Sequence, residues 1–336
     1  MLGSIAARRF FAAIGVAAGL IVLLSSGCSD KKIIEPECEG CYRFNVAFPS
    51  SGTQNVLRDV FFIDSGNGWV VGHDGLVLHS SDSGAAWTIQ RQKIGQRLWS
   101  VHFLAPDLGW VINELDSLVR TGDGGDTWTE WRIGSGRGLT SVFILDLLRG
   151  WIVGDSVILR TDNGTSWQVY DDIDNVVSTL YGVTFATPNR GWAVGSGGYK
   201  ILYTDDGGDH WIPQDNPSTQ PLLDVVFVDA SNGWAVGVGA TVIHTVDGGL
   251  TWTKQSIGTD RVLHGVDFRD VSTGVVVGDS GVVYTTTDGG VTWEERASGT
   301  TNDLLKVSYV NAETFCACGY NGSLLLVTRR WEECCE

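Results

Sequence analysis

The stretch that decides the fold is GWAVGVGATVIHTVDGGLTW, Gly233–Trp252. Its two apolar runs, 233–237 and 241–245, are too short for helices. They are rich in β-branched residues and separated by Gly, which is a strand–turn–strand pattern. A turn sequence, Thr245-Val-Asp247-Gly-Gly, then leads to Trp252, and a further apolar run, LLDVVF at Leu222, precedes the whole. The pattern recurs along the chain. LRDVFF at Leu57, LWSVHF at Leu98, LTSVFI at Leu139 and LYGVTF at Leu180 come before it, and LHGVDF at Leu263 and LLKVSY at Leu304 follow, each 41 or 42 residues from the last. The second element keeps step through Trp69, Trp110, Trp151, Trp192 and Trp234, with Val275 and Cys316 in the last two slots.

A period of roughly 40–45 residues carrying four short strands is the size of one propeller blade. A small twisted sheet cannot bury both faces alone, so such units stack, and closure into a ring removes the open sheet edges. The chain is therefore expected to be all-β, a seven-bladed β-propeller of four-stranded antiparallel blades spanning residues 42–336. Its blades start near 57, 98, 139, 180, 222, 263 and 304. Residues 42–48 (YRFNVAF) read as a strand that closes the ring on blade seven.

Each copy ends in Ser/Thr-x-Asp-x-Gly-x-x-Trp, which resembles the Asp-box, or bacterial neuraminidase repeat. The pairs are Asp82 with Trp87, Asp123 with Trp128, Asp162 with Trp167, Asp206 with Trp211, Asp247 with Trp252 and Asp288 with Trp293. In the third copy Arg160 stands in the Ser/Thr slot, and the seventh keeps only Trp331. The physics is local. Gly permits the positive-φ turn, the carboxylate accepts backbone N–H bonds within it, and the Trp packs the hairpin. Six near-equally spaced copies argue for structure over a single active site. Of 14 Trp, five fill the second-strand slot and six close boxes, so only Trp99, Trp131 and Trp331 stand outside the repeat.

Gly-Trp-x-Val-Gly followed by Thr-x-Asp-Gly-Gly-x-x-Trp, from Leu57 onward, resembles the photosystem II stability and assembly factor family of seven-bladed propellers. That resemblance implies a non-enzymatic scaffold that holds a membrane-protein partner during assembly. Plant and cyanobacterial members carry an Arg-rich patch on one face. In the slot before Gly-Trp this chain keeps Arg149 and Arg190, against Asn67, Leu108, Asn232 and Thr273 elsewhere.

Charge narrows the function further. Lys and Arg total 23 against 39 Asp and Glu, a formal net charge of -16. Such a chain repels phosphate backbones, which argues against nucleic-acid binding. At the N-terminus, Arg8 and Arg9 precede the apolar run Phe10–Leu24, and Ser25-Ser26-Gly27-Cys28 follows. This resembles a bacterial lipoprotein signal cut before a lipid-modified Cys, although Leu24 stands one position further back than the family pattern has it. Residues 1–27 are thus expected to be a signal peptide, and residues 28–41 the lipidated Cys28 and a tether. The mature chain would then hold 21 basic and 39 acidic residues, sit in the bacterial cell envelope and bind membrane through its lipid.

Other constellations are weaker. The six His are scattered without metal-ligand spacing, and Asp171–Asn175 reads as a solvated acidic loop, so no metal or cofactor is expected. Asp59, Asp224 and Asp267 fall on innermost strands and would line a channel, where a glycosidase would place its acids. The remaining cysteines, Cys38, Cys41, Cys316, Cys318, Cys334 and Cys335, lie at the two chain ends and are candidate disulfide formers stitching the termini to blade seven, against a redox or metal site at Cys38–Cys41. The functional expectation is a monomeric, non-enzymatic envelope scaffold for an unidentified protein. The alternative is a carbohydrate-active hydrolase or a glycan-binding surface protein.

Overall fold

The repeat folds into seven four-stranded antiparallel sheets. The structure, a computed structural model, describes residues 40–170, 178–197 and 201–333, and Gly40–Glu332 form one compact unit. Cys28, the signal segment, Cys38, Cys334, Cys335 and Asp171–Asn175 lie outside the described residues, and for Cys41 the backbone alone is described.

Each inner strand begins on the Leu of its motif: Leu57–Phe62, Leu98–Ala105, Leu139–Ile144, Leu180–Phe185, Leu222–Phe227, Leu263–Phe268 and Leu304–Tyr309. The Gly-Trp-x-Val-Gly segments are the second strands, buried along their whole length. Six sheets run from inner to outer strand in chain order. The seventh takes its outermost strand, Gly40–Ala47, from the N-terminus, beside Leu324–Glu333. The ring is thereby fastened by both ends of the chain, and helical structure among the described residues is confined to two 3-10 turns.

A β-bulge recurs at the start of every inner strand, between Leu57 and Asp59 for instance, or Leu304 and Lys306. The extra residue re-aims the strand's second and third side chains toward the channel, while the first, fourth and sixth stay in the core between blades. The glycines of the second strand are steric requirements. A Cβ at Gly233 would collide with the Phe227 ring, and one at Gly237 with the carbonyl oxygen of Pro221.

Adjoining blades are joined by an aromatic relay. Trp69 stacks on Phe103 of the next blade at 3.5 Å, Trp151 on Phe185 at 3.5 Å, Trp192 on Phe227 at 3.5 Å and Trp234 on Phe268 at 3.6 Å. Each of those Phe rings meets its own blade's box Trp edge-on, Phe268 with Trp293 for example. Three of the second-strand indoles also donate to a box carbonyl of the next blade: Trp151 to Gly207, Trp192 to Gly248 and Trp234 to Gly289. The relay lapses at three seams: Trp110 packs in a core with Ile144 rather than a Phe, and Val275 of blade six and Cys316 of blade seven occupy the Trp slots.

The Asp-boxes are built as local hydrogen-bond knots. The Thr245 hydroxyl donates to Asp247 at 2.8 Å, and Asp247 accepts from the Thr251 amide at 2.8 Å. Ser80–Asp82, Thr121–Asp123, Thr204–Asp206 and Thr286–Asp288 repeat the first bond at the same length. Bonds from Thr127 and then Thr121 hold the Asp123 carboxylate down to about 2, and at Asp206 burial is outweighed by bonds from His210 and Thr204, which bring it to about 2 as well. Blade three departs from the sequence expectation. Its box is one residue shorter and is built on Thr161 and Asn163, whose Oδ1 accepts from Thr161, Thr165 and Ser166. Asp162 lies outside the knot and pairs with Arg160 instead, so the box position there belongs to Asn163. Of the six candidate disulfide formers, the side chains of two are described. Cys316 and Cys318 are free thiols, buried together in the seam with Leu57, Val60 and Phe62, and they form no disulfide among the described residues.

Candidate functional site: the channel and its mouth

The inner strands surround a channel, and its polar lining has two parts. The lower part is structural. Inner strands of neighbouring blades do not pair through their backbones, so their inward N–H groups need other acceptors. Side chains of the preceding blade supply them. Asp59 accepts from the Val101 amide at 2.9 Å, Ser100 from Val142 at 3.3 Å, Asp224 from Val266 at 3.0 Å, Asp267 from Tyr309 at 2.7 Å and Ser308 from Phe62 at 3.2 Å. Asp59, Asp224 and Asp267 are thus clips between blades.

Sequence reasoning picked out these three acids but missed the cation they surround. Lys306, third residue of blade seven's inner strand, bonds Asp224 at 2.7 Å. Burial works against its charge, but the carboxylates of Asp224 and Asp59 overcome this and raise its pKa. Burial likewise raises Asp59, and raises Asp267 to about 6. His102, lower in the channel, is pushed by burial down to about 4 and is neutral. Lys306 was legible only as a break in pattern, a Lys where other copies have Asp, Ser or Gly.

The upper part is a mouth of about 330 Å³. Its rim is the second residue of each inner strand: Arg58, Trp99, Thr140, Tyr181, Leu223, His264 and Leu305. No two blades that adjoin share a residue type there, whereas the flanking Leu and Val repeat. Arg58 lies over Trp99, its guanidinium carbon 4.3 Å from the ring centroid, and its Nε donates to His73 Nε2 at 3.3 Å. That bond needs a neutral imidazole, and burial and the Arg58 charge both lower the His73 pKa. Across the mouth, His264 Nε2 meets Asp279 at 2.6 Å. Trp99 is therefore a site residue, while Trp131 packs in the core of blades two and three and Trp331 meets Tyr42 edge-on.

The slots before Gly-Trp lie at the other end of the ring and serve their own loops. Asp64 holds Asn67, Asp229 holds Asn232, and Asp270 holds Thr273. Arg149 is paired to Asp146 through Nε at 2.8 Å. Among the described residues, no group of three or more His, Cys, Asp or Glu is placed to hold a metal ion.

A closed ring of Asp-box blades, with three channel acids bonded across blade seams and a non-repeating rim at one mouth, defines a seven-bladed β-propeller of the Asp-box class. The family model described as photosynthesis system II assembly factor YCF48 matches residues 47–138, 204–262 and 251–331, well over half the chain, and the chain belongs to that family. Among solved structures it is similar to YCF48 from Cyanidioschyzon merolae, at 23% identity and TM-score 0.71, covering 84% of this chain and 98% of that one. A structure of YCF48 bound to D1 peptide matches at 19% identity and TM-score 0.71, covering 85% and 96%. Virginiamycin B lyase from Staphylococcus aureus matches at 12% identity and TM-score 0.73, covering 85% and 99%, so the same ring also serves enzymes. At these identities the likenesses establish the fold. No curated protein matches the sequence.

Proposed function

We propose that this chain is a non-enzymatic scaffold that binds a protein partner at the channel mouth, anchored to the bacterial envelope by a lipid on Cys28. The observation that carries the reading is the division of the channel. Residues that could do hydrolysis are committed to holding blades together, whereas the rim that differs from blade to blade faces solvent and is free to specify a partner. A hydrolase needs a carboxylic acid and a carboxylate free to meet substrate, and Asp59 and Asp224 are buried with oxygens already hydrogen-bonded. The D1 peptide bound by a YCF48 relative supports a polypeptide as the kind of partner.

The experiment is affinity capture from detergent-solubilised envelope, run beside a chromogenic glycoside panel. A membrane protein retained by the wild type and lost on Leu223→Asp with Leu305→Asp supports the reading. Glycoside turnover abolished by Asp224→Asn overturns it. Anchoring is tested separately, by palmitate labelling that Cys28→Ala should abolish.

A further inference from the structure

We infer that the channel mouth recognises a carboxylate carried on an apolar body, with Arg58 as its anchor. The inference rests on reading the mouth as the ligand-binding end of the ring.

Three cations or potential cations line the mouth, and two are already matched. Lys306 is bonded to Asp224 and His264 to Asp279. Among the described residues Arg58 has no carboxylate within ion-pairing distance, and its one hydrogen bond, to His73, uses Nε. Both Nη groups are therefore uncommitted, in the fork geometry that suits a carboxylate. The guanidinium is also held in place, against Trp99 on one side and His73 at Nε, so little freedom is lost on binding. Half-burial removes part of its water, which strengthens a charged hydrogen bond.

The acids beneath do not satisfy Arg58. Asp59 is engaged by Val101, and Asp224 by Lys306, Val225 and Val266. Around the rim, Tyr181, Leu223 and Leu305 offer apolar surface for the body of the ligand, in a cavity that takes a small molecule or one chain end. Stacking of a sugar on Trp99 is disfavoured, because Arg58 already covers one face of that ring. Strand geometry does not demand an Arg at this rim position. Its position carries Trp, Thr, Tyr, Leu, His and Leu in the other blades, all with the same strand geometry.

Two sources share this chemistry, a polypeptide C-terminus and a free organic acid. The probes are the peptide acetyl-Ala-Ala-Val-Leu with a free carboxylate, the same peptide amidated, and 3-phenylpropionate, each titrated calorimetrically into the mature chain. Amidation should weaken peptide binding by about tenfold or more, the loss of one charged hydrogen-bond pair. Arg58→Met should abolish the preference for the acid, and Arg58→Lys should keep part of it. Binding of the peptide acid alone assigns the source to a chain end, and binding of phenylpropionate alone to a free acid. Binding of neither acid overturns the inference, as does acid binding that Arg58→Met leaves unchanged. Should Arg58→Met fail to fold, Arg58→Lys and the amidated peptide still decide. An envelope protein captured equally by wild type and Arg58→Met would sink the carboxylate anchor and leave the scaffold reading standing. Acid binding without any captured protein would do the reverse.

Discussion

Trp234 and Phe268 belong to different blades and lie face to face, ring centroids 3.6 Å apart and 8° from parallel. The indole N–H of Trp234 also donates to Gly289 of the second of those blades at 3.0 Å. One side chain therefore supplies apolar burial, ring stacking and a buried hydrogen bond across the same seam. Trp234→Ala is expected to cost about 3–5 kcal/mol, the range for truncating a buried large aromatic. Trp331→Ala, at a ring 59% exposed on blade seven, should cost less than about 1 kcal/mol. Urea unfolding monitored by circular dichroism compares the two. Equal losses would show that the relay is not what joins the blades.

Lys306 is paired with Asp224 in a channel floor that also holds Asp59 and Asp267. Lys306→Met leaves Asp224 buried and unmatched, which should cost about 3–5 kcal/mol. The double variant with Asp224→Asn should recover a large part of this, because Asn still accepts from the Val266 amide. Unfolding midpoints of both variants measure the coupling. A double variant no more stable than Lys306→Met contradicts the ion-pair account.

Acidity acts on this ring from two directions. Folding raises Asp267 from 3.8 to about 6, so the folded state binds the proton more tightly than the unfolded chain. Its contribution is full below about 4 and is lost as pH rises to about 6. The box residues Asp123 and Asp206 are depressed to about 2, so their contribution is full above about 4 and is lost as pH falls to about 2. Asp267→Asn should flatten the upper slope and raise stability at pH 7 by on the order of 2 kcal/mol. Melting temperatures from pH 2 to pH 8 read both limbs, and an unchanged upper slope in the variant would contradict the assignment.

Cys316 and Cys318 are free thiols whose pKa values burial raises, that of Cys316 to about 12. Thiolate is scarce and access is closed, so both should resist maleimide in the native state and react once urea unfolds the chain. Peptide mass mapping after native labelling checks this. Modification of either residue within minutes would mean that the seam between blades seven and one opens.

The periodic part of this protein could be read from the chain alone. The inner-strand Leu recurs every 41 or 42 residues, and the second-strand Trp and box Asp follow it in most copies, because each blade solves the same local problem of turn, strand and neighbour contact. Such constraints act between residues close in sequence or one repeat apart, so blade number, strand order and box positions were legible. The single slip, Asp162 for Asn163, came from a turn one residue shorter, a difference that only the hydrogen bonds reveal. Trp99 also stood out, as a Trp outside the repeating slots. The rest of the mouth was hidden for the opposite reason. Arg58, Tyr181, His264 and Leu305 repeat nothing, and only ring closure brings them around one cavity. The same closure sets Lys306 beside Asp224, 82 residues earlier, and turns Asp59, Asp224 and Asp267 from apparent catalytic candidates into clips on the next blade. Whether a polar side chain is free to act or already committed depends on a partner a full repeat or more away, and tertiary structure alone decides that.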